Sequence, residues 1–320
     1  MPALGAQREV TVSGVSSGAY MAVQMHVAHS AMVKGAGAIA GGPYYCAQGS
    51  LWTAYYNCMA PGAWTPLPSL AILEADARGL ARAGGIDPLA NLAGAPVWLF
   101  TGTRDRTVLP EVVRALDDWY RAFKARTLLV ADKPAGHAMV VEQAKNACGA
   151  TQPPFINDCD YDAAGELLKH LLGSLRPPMA PPTGRLVAFD QEAFAGGKAA
   201  AISLDATGWL YVPKDCEGGG CRVHVAFHGC LQGYEKVGDA FIAGAGYNRW
   251  ADANRLLVLY PQAVARDGWS PGSFTFAWNP KGCWDWWGYT GAEYATKQGA
   301  QIRAVTAMLE RLSEKPAGPR

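Results

Sequence analysis

The stretch from residue 9 to residue 21 constrains the fold more than any other part of the chain. It reads Glu-Val-Thr-Val-Ser-Gly-Val-Ser-Ser-Gly-Ala-Tyr-Met, which predicts a short strand, a Gly-x-Ser-x-Gly turn and a helix running to about Ser30. This order is the arrangement that a nucleophile elbow requires. Gly14 and Gly18 let the backbone approach its neighbours closely because they carry no Cβ. The sequence therefore places Ser16 at the tip of the turn, where the next amide lies at a helix N-terminus and can face a developing negative charge.

Ser17 is the alternative nucleophile in the same turn. If the turn were centred on Ser17, its two small positions would be occupied by Val15 and Ala19. Their side chains would prevent the close backbone approach that the turn needs. Ser16 is therefore the predicted nucleophile, and Ser17 contributes only its backbone N–H.

A candidate acid and a candidate base follow further along the chain. A serine nucleophile needs a base, and the base needs an acid that fixes its tautomer. The apolar runs 96–102 and 127–131 predict buried parallel strands, and functional groups collect beyond the carboxyl ends of such strands. Asp105 follows the first run and His137 follows the second. The order Ser16, Asp105, His137 is the order used by α/β-hydrolases, so we predict a catalytic triad.

The triad competes with plainer interpretations. Taken alone, Asp105 is also what an ordinary turn after Gly102 predicts. Four other histidines lie on predicted helices or strands, which favours the core edge or a solvated surface: His26, His29, His170 and His224. Because three positions agree with the expected order, the triad is the better interpretation.

Two backbone amides are candidates for an oxyanion hole, which needs converging N–H donors. The first is the amide of Ser17. The second is the amide of Cys230, in the segment His228-Gly229-Cys230 that follows the strand-like run 222–227. In the usual chain order this loop precedes the nucleophile, whereas here it follows far downstream. A circular permutation explains this order, since the strands that are usually encoded first would then be encoded last.

The chain is predicted to form one catalytic domain over residues 1–320. Its fold class is α/β, an α/β-hydrolase fold with a mostly parallel central sheet flanked by helices, circularly permuted. Residues 1–175 would contribute the elbow and the triad, and residues 183–320 the oxyanion loop and an aromatic groove. The Pro-rich segment 176–182 is too short for an interdomain tether and is predicted to be a surface connector. Apolar periodicity predicts the main helices beyond the elbow: 69–83, 111–124, 161–175, 247–254 and 295–312.

The charge of the chain excludes several classes of partner. A formal net charge of +1 provides neither a basic field for nucleic acid nor a polybasic strip for a membrane surface. No apolar run approaches the roughly 20 residues of a membrane span. The N-terminus has neither the charged start nor the apolar stretch of a signal peptide. We expect no nucleic-acid partner, no membrane association, no cofactor and no metal, and the oligomeric state cannot be read from the sequence.

Eight cysteines indicate export. Six of them form locally spaced couples around Gly-, Pro- or Asn-rich loops and leave two over, and spacing alone does not decide the pairing. A zinc site is the alternative, but its candidate ligands do not have the spacing of paired zinc knuckles: Cys216, Cys221, His228 and Cys230. Disulfides predict an oxidising compartment, so we expect a secreted protein, extracellular or periplasmic.

Four segments resemble poly(3-hydroxybutyrate) depolymerases. They are Val-Ser-Gly-Val-Ser-Ser-Gly-Ala-Tyr-Met at 12–21, Ala-Gly-Gly-Pro-Tyr at 40–44, His-Gly-Cys-Leu-Gln at 228–232 and Cys-Trp-Asp-Trp at 283–286. The likeness covers nearly the whole chain and is greatest to single-domain, fungal-type enzymes with a circularly permuted α/β-hydrolase fold. Two departures are Ala19, where relatives often carry Gly, and the segment 264–277, which matches no part of the family pattern.

The resemblance implies roles for individual residues. It implies Ser16 as nucleophile, Asp105 as acid and His137 as base. The implied oxyanion amides are those of Ser17 and Cys230. The implied groove residue and disulfides are Trp286, Cys46–Cys58, Cys148–Cys159, Cys216–Cys221 and Cys230–Cys283.

An aromatic cluster at 284–289, together with an aromatic residue near the N-terminus, predicts the wall of a substrate groove. The predicted wall comprises Trp284, Trp286 and Tyr289, together with Tyr44. Flat aromatic walls with few charges suit a polyester, which offers methyl and methylene groups beside its ester carbonyls. The alternative is that Trp284 and Trp287 belong to the core and that only one or two rings touch substrate.

The sequence therefore predicts a secreted serine esterase that hydrolyses poly(3-hydroxybutyrate) or its oligomers through an acyl-enzyme on Ser16. One alternative is a feruloyl or acetyl esterase acting on plant polysaccharide. Another is a non-catalytic protein that binds polymer through its aromatic surface. The sequence does not distinguish solid polymer from short oligomers as the preferred substrate.

Overall fold

An eight-stranded sheet organises the computed structural model, which describes residues 1–178, 181–269 and 276–316. A three-stranded sheet and a two-stranded ribbon accompany it. The strands of the described residues, in chain order, are β1 Val10–Val15, β2 Val33–Ile39, β3 Pro96–Phe100, β4 Arg126–Val130, β5 Met139–Val141, β6 Asn146–Ala147, β7 Ile156–Asp158, β8 Arg185–Asp190, β9 Thr207–Val212, β10 Arg222–Phe227, β11 Leu256–Tyr260, β12 Arg266–Gly268 and β13 Ala277–Asn279.

The large sheet joins the two halves of the chain. Its strand order is β4-β3-β2-β1-β10-β11-β9-β8. The six strands from β4 to β11 are parallel, whereas β9 and β8 add antiparallel pairs at one edge. Strand β1 lies beside β10, with Val12 paired to Val225. Both halves of the chain therefore contribute strands to the middle of one sheet.

Helices cover both faces of the sheet. In the described part of the chain they are α1 Ser17–Ala28, α2 Leu51–Tyr56, α3 Leu70–Arg82, α4 Pro110–Ala122, α5 Ala163–Leu172, α6 Tyr234–Val237, α7 Ala240–Gly244, α8 Tyr247–Asn254 and α9 Ala300–Ser313. The prediction was wrong about the start of the last helix, which begins at Ala300 and not at residue 295. Residues 291–299 instead form successive turns in which backbone amides donate three residues back, because Gly291 and Gly299 interrupt the helical pattern.

Strand β3 shows why its apolar run is continuous. Val97 and Leu99 belong to the core on one face of the sheet, together with α1, α4 and α9. Trp98 and Phe100 belong to the core on the other face, together with α5 and α8. Because side chains alternate along a strand, a sheet buried on both faces needs apolar residues at every position.

Four disulfides join all eight cysteines of the chain. The pairs are those that the family resemblance implies: Cys46–Cys58, Cys148–Cys159, Cys216–Cys221 and Cys230–Cys283. Three of them close short local loops, whereas the fourth links positions 53 residues apart. Among the residues described, no helix has the length and apolarity needed to cross a membrane.

The connector at 176–182 is only partly described, since residues 179 and 180 lie outside the described ranges. At its start, the Arg176 N–H donates to Asn254 Oδ1 at 2.8 Å. This bond ties the beginning of the connector to the C-terminal end of α8.

A buried histidine between β1 and β10 gives a testable pH dependence. His224 is hydrogen-bonded to Thr11 Oγ1 at 2.8 Å and to Ser13 Oγ at 2.7 Å. Burial lowers the pKa of His224 to about 3 from an ordinary value of 6.5. As pH falls below 6.5, the unfolded chain gains a proton that the folded protein does not take up. The free energy of unfolding should therefore fall by about 1.4 kcal/mol per pH unit from this group alone.

Urea unfolding between pH 6 and pH 4 measures this contribution. The His224→Gln variant should show a slope of unfolding free energy against pH that is smaller than the wild-type slope by about 1.4 kcal/mol per pH unit. Equal slopes in the two proteins would show that His224 does not carry the effect.

Candidate active site

Ser16 lies in the sharp turn between β1 and α1. Its backbone has φ 57° and ψ −122°, a left-handed conformation that is uncommon for a residue with a side chain. A methyl group on Gly14 would lie 2.2 Å from the Gly18 carbonyl oxygen, and one on Gly18 would lie 2.4 Å from the carbonyl oxygens of Phe227 and His228. The two glycines are therefore required because the turn packs against itself and against the end of β10.

Asp105 and His137 form a buried pair on the loops after β3 and β4. The distance from His137 Nδ1 to Asp105 Oδ2 is 2.7 Å. The other carboxylate oxygen, Oδ1, accepts the backbone N–H groups of Thr107 at 2.8 Å and Val108 at 3.0 Å. These two amides fix the carboxylate so that Oδ2 faces the imidazole, which is the arrangement that orients a catalytic base.

Ser16 and His137 line the same cavity, which has a volume of about 670 Å³. Among the hydrogen bonds of the described residues, none joins Ser16 Oγ to His137 Nε2. Catalytic hydrogen bonds are often long in a protein without substrate and tighten in the complex. The structure thus brings the predicted nucleophile and base to one cavity, and only the acid–base pair is hydrogen-bonded.

The loop 228–232 lies against the elbow. A methyl group on Gly229 would be 3.3 Å from the Val15 carbonyl oxygen and 3.5 Å from Ser16 Cβ. Gly229 N–H donates to Gln232 Oε1 at 2.8 Å, and Leu231 N–H donates to the Lys281 carbonyl at 2.7 Å.

The two predicted oxyanion amides remain available. Within the described ranges, the N–H groups of Ser17 and Cys230 donate no hydrogen bond, and Cys230 lines the cavity beside Ser16. Both amides belong to backbone that packs around Ser16, as a pair of oxyanion donors requires.

The prediction of the groove wall was wrong for three of its four residues. Tyr44, Trp284 and Tyr289 are buried and do not line the cavity. The Tyr44 hydroxyl donates to the Ala295 carbonyl at 2.7 Å, and the Tyr289 hydroxyl donates to the Cys283 carbonyl at 2.7 Å. Trp284 packs edge-on against Phe227, with ring centroids 5.0 Å apart. The three side chains support the wall from behind, since the two tyrosine hydroxyls find partners inside the protein and Trp284 is held by ring packing.

Trp286 does line the cavity, where it stacks on Tyr20 with ring centroids 3.9 Å apart. The Asp285 carboxylate holds the neighbouring turn by accepting the backbone N–H groups of Gly288 at 2.7 Å and Thr290 at 2.7 Å. Burial raises the pKa of Asp285, and these hydrogen bonds oppose the rise. The acidic residue between the tryptophans therefore shapes the aromatic turn.

Sequence reasoning missed most of the aromatic wall. Besides Trp287, for which the sequence left wall and core open, the remaining aromatic residues that line the cavity are Trp52, Tyr55, Tyr56, Phe155 and Trp278. Three of these lie on α2, inside the loop closed by Cys46–Cys58, and all three are exposed. The signal was the density of aromatic residues between the two cysteines, a loop position at which a core residue is not expected.

The segment 264–277 stays only partly assigned. Residues 270–275 lie outside the described ranges, while β12 and β13 pair antiparallel on either side of them. No group of three or more His, Cys, Asp or Glu side chains that could hold a metal is found in the described part of the chain.

The bridge Cys230–Cys283 links the candidate oxyanion loop to the segment that carries Trp286. We expect a variant with both cysteines replaced by alanine to lose turnover by about tenfold in its folded state, because the loop loses its tether. The matched control replaces Cys216 and Cys221 by alanine, since neither lines the cavity. That control should lose stability but retain turnover.

Turnover and urea unfolding of the two double variants test this expectation. Equal turnover per folded molecule in both double variants would contradict the coupling.

No family model matches the chain. The chain is 42% identical over 327 residues to a poly(3-hydroxybutyrate) depolymerase of Delftia acidovorans, with 99% of this chain covered. It spans 62% of the length of that relative. It is 36% identical over 315 residues to a polyhydroxybutyrate depolymerase of Talaromyces funiculosus, covering 95% of this chain and 89% of the relative.

Two solved structures of PHB depolymerases are similar to this chain over nearly its full length. The PHB depolymerase from Penicillium funiculosum is similar with a TM-score of 0.86 and 34% identity, and 98% of each chain is covered. A serine-to-alanine variant of a PHB depolymerase complexed with an R3HB trimer is similar to the same degree, again with a TM-score of 0.86.

Proposed function

Because the chain belongs to the poly(3-hydroxybutyrate) depolymerase family, we propose that it hydrolyses poly(3-hydroxybutyrate) and its oligomers as a serine esterase with Ser16 as nucleophile. The observation that carries this proposal is the position of Ser16 in the same aromatic cavity as His137, whose imidazole is hydrogen-bonded to Asp105 behind it. The feruloyl or acetyl esterase and the non-catalytic binding protein are not needed to explain these findings.

The geometry supports acylation of Ser16. In the first step Ser16 Oγ attacks the ester carbonyl carbon while His137 Nε2 accepts the hydroxyl proton, and Asp105 stabilises the imidazolium that forms. The carbonyl oxygen becomes negatively charged, and the Ser17 and Cys230 amides donate to it. His137 then donates this proton to the alkoxide oxygen of the leaving alcohol as the ester C–O bond breaks.

Deacylation repeats these steps with water. His137 removes a proton from a water molecule whose oxygen attacks the acyl carbon, and the same two amides stabilise the second oxyanion. His137 then donates this proton to Ser16 Oγ as the bond between the acyl carbon and Oγ breaks, which releases the acid. The pathway needs no group beyond the side chains and amides named.

The cavity walls support recognition of a polyester. Trp286, Trp287 and Trp52 present flat apolar surface to the cavity that Ser16 also lines. A 3-hydroxybutyrate unit carries one methyl and one methylene group for each ester, so aromatic contact favours it and only the carbonyl needs hydrogen bonds.

The arrangement of the chain supports three further parts of the proposal. Strand β10, encoded after residue 183, lies beside β1, as a circularly permuted α/β-hydrolase requires. The shared sheet supports a single catalytic domain over residues 1–320. Four disulfides support secretion to an oxidising compartment.

Product identification tests the proposed function. Purified protein is incubated with amorphous poly(3-hydroxybutyrate), with 3-hydroxybutyrate trimer, with a feruloylated polysaccharide and with acetylated xylan, and the products are quantified by chromatography. We expect release of 3-hydroxybutyrate or its short oligomers from the first two substrates. Release of ferulate or acetate alone would establish the alternative esterase, and adsorption to the polymer without any product would establish a binding protein.

A further inference from the structure

The peptide unit between Gly229 and Cys230 is held through its carbonyl group. The Gly229 carbonyl oxygen lies 2.7 Å from His228 Nδ1 and accepts the Gln232 backbone N–H at 3.2 Å. A trans peptide is planar, and its N–H points away from its C=O. Anchoring this carbonyl on one side therefore aims the Cys230 N–H to the opposite side.

The tautomer of His228 follows from its second nitrogen. The Ala263 backbone N–H donates to His228 Nε2 at 3.0 Å, so Nε2 must carry the lone pair. In the neutral ring the proton then lies on Nδ1, which donates to the Gly229 carbonyl. Burial lowers the pKa of His228 to about 4, so the imidazole is neutral near neutral pH.

Packing keeps the ring in this orientation. His228 is fully buried, with the rings of Trp284 and Phe241 centred 5.5 Å and 6.5 Å from its own. Gln232 holds the preceding peptide, because its Oε1 accepts the Gly229 N–H. The imidazole itself does not line the cavity, so it acts on the site only through the backbone.

We propose that His228 is a positioning residue of the oxyanion hole, whose Nδ1–H group locks the Gly229–Cys230 peptide with the Cys230 N–H directed toward the reacting carbonyl. The inference rests on the proposed function. It assigns the histidine of the His-Gly-Cys segment to aiming an amide, and no proton transfer passes through it.

Two variants separate this role from general support of the loop. In His228→Asn the side-chain amide can occupy the Nδ1 position and donate to Gly229, while the Ala263 N–H loses its acceptor. In His228→Gln the side-chain oxygen can occupy the Nε2 position and accept from Ala263, while the Gly229 carbonyl loses its donor. Each variant thus loses one buried hydrogen bond of the same ring.

The expected results differ in kcat and not in KM. With 3-hydroxybutyrate trimer and with p-nitrophenyl butyrate, His228→Gln should lower kcat by about 10- to 100-fold with KM within about twofold, because a misaimed donor stabilises the transition state less. His228→Asn should keep kcat within about threefold of wild type. Urea unfolding of both variants provides the folded fraction by which kcat is corrected.

Equal losses of kcat in the two variants, or a loss that follows stability alone, would overturn the inference. If His228→Gln does not fold, the tautomer in the wild-type protein decides: two-bond nitrogen–proton correlations of His228 must show a proton on Nδ1, and one on Nε2 would overturn it. Hydrolysis of p-nitrophenyl butyrate without release of 3-hydroxybutyrate would contradict the proposed substrate but leave this test intact. Hydrolysis of neither substrate by the wild-type protein would overturn both proposals.

Discussion

The Ser16→Ala variant should lose hydrolysis of 3-hydroxybutyrate trimer by about 10⁶-fold in kcat, because no acyl-enzyme can form without the hydroxyl. Its fold should persist, since alanine differs from serine only by that hydroxyl, and Ser16 uses its backbone N–H, not its side chain, to bond to the Ile39 carbonyl at 2.8 Å. The dissociation constant for the trimer should stay within about threefold of the wild-type value. Product release and isothermal titration calorimetry measure the two quantities.

Ser69→Ala is the matched control for this variant. Ser69 is an exposed serine before α3 whose side chain makes no capping hydrogen bond. Its replacement should leave turnover unchanged. Substantial residual turnover in Ser16→Ala would show that another group performs the attack, and Ser17 would be the first to test.

The Asp105→Asn variant should lower kcat by about 10⁴-fold. Oδ1 accepts two backbone N–H groups, so the asparagine must keep its oxygen at that position and turn its NH₂ toward His137. An NH₂ group facing Nδ1 forces the imidazole proton onto Nε2. The base then has no lone pair toward Ser16, although the site keeps its shape.

Asp118→Asn is the control, because Asp118 is exposed on α4 and no hydrogen bond among the described residues joins it to Asp105 or His137. Steady-state kinetics across pH 6 to 9 compares the two variants with the wild-type protein. If Asp105→Asn retained more than about a tenth of wild-type kcat, the carboxylate would not be orienting the base.

The elbow and the triad positions could be predicted because their signals are local. A strand, a turn with two glycines and a helix occupy adjacent residues, so the pattern that places Ser16 at the tip of the turn lies within one short segment. Asp105 and His137 each follow an apolar run that predicts a buried strand. Parallel strands end at the same sheet edge, so these residues could be expected to converge without knowledge of the strand order.

The groove could not be predicted to the same extent. An aromatic run such as 284–289 does not show which rings face a cavity, because that depends on partners supplied by distant segments. Tyr44 is turned inward by the Ala295 carbonyl, and Trp284 by the ring of Phe227. The rings on α2 face the cavity because their short helix is held there by the Cys46–Cys58 bridge.

The sequence alone determined the nucleophile turn, the type of sheet and the order of the chemical groups, since each depends on neighbouring residues and on the steric limits of the backbone. How residues more than 200 positions apart come to share the site depends instead on the assembled fold. It placed the Gly229–Cys230 peptide against Ser16 and selected the tautomer of His228 through the Ala263 amide. Hydrogen bonds between distant segments depend on distances and angles that no local pattern encodes, so these relationships appear only when the sheet is assembled.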